Sequence, residues 1–154
     1  MQRRMLVMNN LYTVGFTQKT AERFFSLLIQ NGIDLLLDIR LNNTSQLAGF
    51  SKYPDIEFFL SKICNIEYKH DILLSPTENT LSRYKKKIIT WEIYVEEFNS
   101  TMNSRNINEY IKKTYKNNDN ICLLCSEPTA EFCHRRLIAE RFKGVFNDLN
   151  IINL

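Results

Sequence analysis

The sequence predicts a single three-layer α/β domain, with a mostly parallel sheet of about five strands flanked by helices. Three observations predict it. Two short runs, Ile33-Asp-Leu-Leu-Leu-Asp-Ile-Arg40 and Ile121-Cys-Leu-Leu-Cys125, are almost continuously apolar. A strand covered on both faces needs no polar alternate, and such strands belong to sheets sandwiched between helices. Between Asn10 and Arg40 a strand, a helix and a second buried strand follow one another, the order of a βαβ unit. Finally, 154 residues, 44% of them hydrophobic and 24% charged, suit one domain with a real core.

Taken in order, Asn10 to Val14 reads as the first strand, ended by Gly15. A helix runs from about Thr20, a capping residue, to Gln30, with Phe24, Leu27 and Leu28 inward and Asn31-Gly32 as its stop. Ile33 to Arg40 is the second strand, and Leu41 to Tyr53 a polar loop. Pro54 fits the first position of a helix whose apolar residues are Ile56, Phe59, Leu60 and Ile63. Asn65 to His70 reads as a third strand and Asp71 to Asn79 as loop. Helices follow at Thr80 to Lys87, at Thr90 to Asn103 with Tyr94, Val95 and Phe98 lining it, and at Ile107 to Tyr115. A turn at Asn117-Asn-Asp-Asn120 leads into the central strand Ile121 to Cys125. The last helix begins near Cys133 and carries Ile138, Phe142 and Val145 at helical spacing; Asn150 to Leu154 suits an edge strand.

The net charge of +3 is a mild excess. Dedicated nucleic-acid binders carry a stronger, clustered excess, so charge alone points to no such partner. Met1-Gln-Arg-Arg-Met-Leu-Val-Met8 gives way at once to Asn9-Asn10, too short an apolar region for a secretory leader, and no run is long enough to span a membrane. A cytoplasmic protein with no membrane partner is expected, its cysteines at 64, 122, 125 and 133 reduced thiols.

The chemistry gathers between Cys125 and Arg136. On a helical wheel His134 and Arg135 fall on or beside the buried stripe, whereas Arg136 points away. Basic residues in a first turn oppose the helix dipole, so an anion between them and the free N–H groups would make sense of the cluster. The bland alternative is that the arginines pair with Glu127, Glu131 or Glu140 and only shape the loop. Three loops meet at the carboxyl ends of the sheet, bringing Gly15 with Phe16, Asp38 with Arg40, and Cys125 through Arg135. The plain reading of Asp38 and Arg40 is that they bracket a strand end and pair with each other. Cys125 has a nucleophile's setting, with His134 as base, although a strand cysteine is more often a buried structural thiol. The phosphatase spacing of Cys, five residues, then Arg fails, because Glu131 stands there.

Cys122 and Cys125 form a C-x-x-C, but residues three apart on a strand face opposite ways and cannot share a metal. Cys125, Cys133 and His134 are one ligand short of a closed site, with His70 or an acid needed to complete it, so no metal or cofactor is assigned. Lys85-Lys86-Lys87, following Arg83 and Tyr84, suits phosphate contact, yet such a run is usually a solvated helix end.

Tyr12-Thr-Val-Gly-Phe16, the strand ending Asp38-Ile-Arg40, and Leu124-Cys-Ser-Glu-Pro128 followed by Cys133-His-Arg135 together resemble the domain of unknown function 488 (DUF488) family. The resemblance spans nearly the whole chain. It implies a compact α/β domain and marks Asp38, Arg40, Cys125, Glu127, Cys133, His134 and Arg135 as the family-type polar positions. The family continues from the Asp-x-Arg strand into a Pro- and Arg-containing loop; here stands Leu41-Asn-Asn-Thr-Ser-Gln46, without the cation.

The leading expectation is an enzyme, hydrolase or transferase, binding a small anionic, nucleotide-like ligand at the strand ends. Asp38, Cys125, Glu127 and His134 are its candidate catalytic residues. Tyr12, Gly15, Arg40, Cys133 and Arg135 are its candidate ligand contacts. The alternatives are a non-catalytic module binding nucleic acid or protein through the Lys85–Lys87 region, and a Cys/His metal protein.

Overall fold

The structure, a computed structural model, describes residues 8–44 and 48–154. The segment before Met8, read above for a leader, and positions 45–47 of the polar loop lie outside the described residues. In chain order the elements are β1 (Asn10–Gly15), α1 (Ala21–Gln30), β2 (Leu35–Asp38), α2 (Asp55–Phe59), β3 (Glu67–His70), α3 (Glu78–Lys85), α4 (Trp91–Ser104), α5 (Ile107–Tyr115), β4 (Asn120–Cys125), α6 (His134–Val145) and β5 (Asn150–Asn153). The five strands form one sheet in the order β3-β2-β4-β1-β5, every pair parallel.

The apolar runs end up where two covered faces are needed. β4 is central, with Ile121 opposite Leu11 of β1 on one side and Leu35 of β2 on the other. Alternate strand residues then supply two cores. Leu35, Leu37 and Leu123 pack with Phe98, Ile138 and Phe142 of α4 and α6. Val14, Leu36 and Leu124 pack with Phe24, Leu28 and Ile56 of α1 and α2. No helix among the described residues is long and apolar enough to cross a membrane.

Caps fix several helix starts as read from sequence. Thr20 accepts from the Arg23 amide at 3.1 Å and Thr90 from the Ile93 amide at 3.3 Å. Three expectations are corrected. The loop after Asp71 ends earlier than expected, because Thr77 caps α3 by accepting from the Thr80 amide at 3.2 Å. Ile63, read as one of the apolar residues of the helix after Pro54, lies beyond the end of α2 and is 70% exposed. A π-helical turn, Leu60–Cys64, follows α2, and its wider turn carries residues off the 3.6-residue wheel. Pro54 sits at the cap of α2 rather than at its first position.

This placement is testable by urea unfolding followed by circular dichroism. Leu123→Ala, at a fully buried position in the central strand, is expected to cost about 2–5 kcal/mol. Ile63→Ala should stay within about 0.5 kcal/mol. Equal losses at the two positions would contradict the π turn's outward placement of Ile63.

Candidate functional site

β1 and β4 lie side by side, yet the chain leaves them in opposite directions, to α1 on one face of the sheet and α6 on the other. Loops that part in this way open a crevice at the carboxyl ends of the strands. Thr17 ties them together at the base: its amide donates to the Ser126 carbonyl at 3.2 Å and its hydroxyl to the same oxygen at 2.7 Å. Beside this tie lies a cavity of about 580 Å³, whose wall includes Cys125, Cys133, His134 and Arg40.

Cys125 ends β4 on the α6 side, and His134 is the first residue of α6, so strand end and helix start face each other. The His134 ring bridges two groups. Its Nε2 lies 2.8 Å from the Ile39 carbonyl oxygen, and Nδ1 lies 3.6 Å from Cys125 Sγ. A carbonyl can only accept, so Nε2 carries a proton and Nδ1 is left to exchange one with the thiol. Against the penalty of burial, the Cys133 thiol first, then the His134 charge and the Ser126 amide, hold the Cys125 thiol well below its ordinary value. Burial works against an imidazolium at His134, but Cys125 and the Ile39 carbonyl outweigh it and raise that pKa. Cys125 and then burial push the Cys133 thiol well up. All three shifts act in one direction: they favour the charged forms of Cys125 and His134 and the neutral form of Cys133.

On the other side of the sheet, Asp38 and Arg40 form a buried pair, 0% and 3% exposed. Arg40 Nε donates to Asp38 Oδ1 at 2.9 Å and Nη2 to Oδ2 at 2.7 Å, a two-pronged contact. Nη2 also donates to the Ser51 carbonyl at 2.7 Å, and the Tyr68 hydroxyl donates to Asp38 Oδ2 at 2.6 Å. Arg40 Nη1 is buried without an acceptor among the described residues, and the guanidinium lies 5.1 Å over the Phe16 ring.

Arg135 is 1% exposed, and its Nη1 donates to the Glu127 carbonyl. A Cβ on Gly15 would sit 1.6 Å from that same oxygen and 2.8 Å from Arg135 Nη1. Glycine is thus required at the end of β1 because main chain and guanidinium fill its side-chain space. Arg136 does point away, its guanidinium 5.6 Å over the Trp91 ring and 3.7 Å from Glu140.

The cavity's mouth is built by elements remote in sequence. Tyr84, Lys85 and Lys86 come from the end of α3, and Phe132 from the loop before α6. Glu78 and Glu127 face the same space.

The model of the family described as Domain of unknown function DUF488 matches residues 20–142. The chain belongs to the DUF488 family. No curated protein and no solved structure matches it.

Within this DUF488 domain the sequence-predicted residues divide cleanly. Cys125, Cys133, His134, Arg40 and Glu127 all border the cavity. Asp38, expected as an acid or base, is engaged by Arg40 and Tyr68 and does not line this cavity. Arg135, expected to hold an anion, is turned to the Glu127 carbonyl and borders a separate shallow cleft with Pro128 and Leu154. Tyr12, expected as a ligand contact, is buried under the α1 face, and Gly15 is where it is for steric room. The Lys85–Lys87 run is a helix end as expected, but Lys85 and Lys86 border the cavity as well. Tyr84, Phe132 and Thr17 were missed as site residues. No local pattern flags them, since only the packing of α3 on α4 and of the two loops brings them there. Cys125, Cys133 and His134 offer ligand atoms within 4.8 Å of one another, while Cys122 faces the other core.

Two measurements follow from this geometry. Iodoacetamide labelling of Cys125, read by peptide mass against pH, should reach half its maximal rate well below the ordinary thiol value of 9.0. His134→Ala should move that midpoint upward, because the stabilising charge is lost. A wild-type rate still climbing through pH 9 would refute the thiolate. Asp38→Ala strands a buried guanidinium and is expected to cost about 3–5 kcal/mol in urea unfolding.

Proposed function

We propose that this DUF488 protein is a thiol-dependent hydrolase or transferase acting on a small anionic, nucleotide-like substrate. The observation that carries this reading is the Cys125–His134 contact at the cavity wall, 3.6 Å from Sγ to Nδ1, with the imidazole fixed from behind by the Ile39 carbonyl. A nucleophile beside a base that a third group orients is the arrangement of covalent catalysis. Cys125 Sγ attacks an electrophilic carbon or phosphorus, and the bond to the leaving group breaks. His134 delivers its Nδ1 proton to that group as it departs. Water, or an acceptor molecule, then gives a proton to the neutral His134 Nδ1 and displaces the sulfur, which restores both thiolate and imidazolium.

The surrounding groups suit an anion. Arg40 borders the cavity, and its buried Nη1, with no acceptor among the described residues, would be satisfied by a ligand oxygen that reached it. Lys85 and Lys86 stand at the mouth, and Tyr84 and Phe132 offer aromatic surface to a planar ring. Asp38 serves this scheme by holding Arg40 rather than by moving protons.

Calorimetry against a panel of nucleoside mono- and diphosphates tests both halves. The Lys85→Ala/Lys86→Ala double variant should bind the best ligand about tenfold more weakly, roughly 1.4 kcal/mol. Cys125→Ser should bind within about twofold of wild type, yet lose turnover of that ligand by a factor on the order of 10³ or more. Flat heats from the wild-type chain across the whole panel would remove the anionic substrate. Undiminished turnover by Cys125→Ser would remove the nucleophile.

A further inference from the structure

We infer that Cys125, Cys133 and His134 form a site for one thiophilic divalent cation of zinc chemistry, with the fourth coordination position open to the cavity. The inference rests on the same three side chains as the proposed thiol chemistry and assigns them a second occupant.

Distances come first. The two sulfurs and the ring nitrogen lie within 4.8 Å of one another, and the edge from Cys125 Sγ to His134 Nδ1 is 3.6 Å. Zinc held at about 2.3 Å by sulfur and about 2.0–2.1 Å by nitrogen in a tetrahedron requires such an edge to be roughly 3.5 Å. That edge needs almost no movement to take the ion.

The outer partner is also in place. A ligating imidazole almost always donates its second N–H to a carbonyl or carboxylate, which fixes the tautomer and aims the ring. His134 Nε2 meets the Ile39 carbonyl at 2.8 Å, which leaves Nδ1 as the ligand atom. Two thiolates and a divalent ion make a neutral complex, so a site where the three residues are 4%, 2% and 6% exposed need bury no net charge. Two sulfurs and an imidazole select zinc-like ions over magnesium or calcium, which prefer oxygen.

Sequence spacing left this set one ligand short. All three residues border the cavity, which leaves room there for a fourth ligand. Three protein ligands with an open position is the pattern of reactive rather than purely structural zinc sites. His70 stands elsewhere, its Nε2 2.7 Å from the Arg40 carbonyl oxygen, and Cys122 faces the opposite core. Occupancy by the ion engages the Cys125 lone pair, so the loaded chain has no free thiolate with which to attack a substrate.

The test is a titration of the full, metal-free chain with Co²⁺ under anaerobic conditions. Saturation at a single equivalent is expected, with a thiolate-to-cobalt charge-transfer band and the intense visible bands of a tetrahedral ion, displaced by Zn²⁺. Cys133→Ser and His134→Ala should weaken binding by about 10–100-fold or more. Cys122→Ser should leave it unchanged, and urea midpoints show that each variant folds. A weak octahedral spectrum without the charge-transfer band overturns the site, as does a band that survives unchanged in Cys133→Ser. Iodoacetamide labelling of the metal-free chain separates the two readings. Ordinary thiol reactivity beside a full cobalt signal sinks only the nucleophile, and a lowered labelling midpoint without cobalt binding sinks only the metal site.

Discussion

Arg135 heads the fully buried large side chains among the described residues, and its guanidinium is hydrogen-bonded to the main-chain carbonyl of Glu127. Taking a guanidinium out of water is costly, and a carbonyl dipole is a modest recompense. Its Nε has no acceptor among the described residues. What the contact achieves is positional. It pins the loop between β4 and α6 against the end of β1, where Gly15 leaves room for nothing else. With that loop fixed, the first residue of α6 has one place to go, and it puts the His134 ring between the ends of β2 and β4. The Cys125–His134 contact depends on an arginine that takes no part in it.

Arg40 works in the same way on the opposite face. Its charge is matched by Asp38, its second prong steadies Ser51 in the loop after β2, and Tyr68 closes the network from β3. Both arginines thus brace strand ends, one ion-paired and one bonded to backbone, and Arg40 borders the cavity as well.

Much of this was legible in the chain. The uninterrupted apolar runs at Leu35–Leu37 and Ile121–Leu124 announced buried parallel strands, and Thr20 and Thr90 marked helix starts through a single hydroxyl each. The opposite facing of Cys122 and Cys125 follows from strand geometry alone. Wheel angles correctly buried His134 and Arg135 and left Arg136 at the surface. They could not tell which group a buried arginine meets, because that depends on the path of the aperiodic loop from Ser126 to Cys133. The π turn at Leu60–Cys64 escaped for a related reason: one extra residue per turn breaks the period on which the reading relies. That Lys85 and Lys86 line the same cavity as Cys125 is purely tertiary, and nothing within α3 signals it.

The sheet order carries a consequence for how the protein is made. β4 inserts between β1 and β2, pairing Asn10 with Asn120 and Leu35 with Ile121, so the first strands made have no common neighbour until late in synthesis. A nascent chain still lacking β4 shows unpaired main-chain groups along two apolar strands, a condition that invites chaperone capture. The order of synthesis matters at the cavity as well. Both side chains that lower the Cys125 pKa, Cys133 and then His134, leave the ribosome after it, so a polypeptide ending before Cys133 carries a thiol that neither one touches.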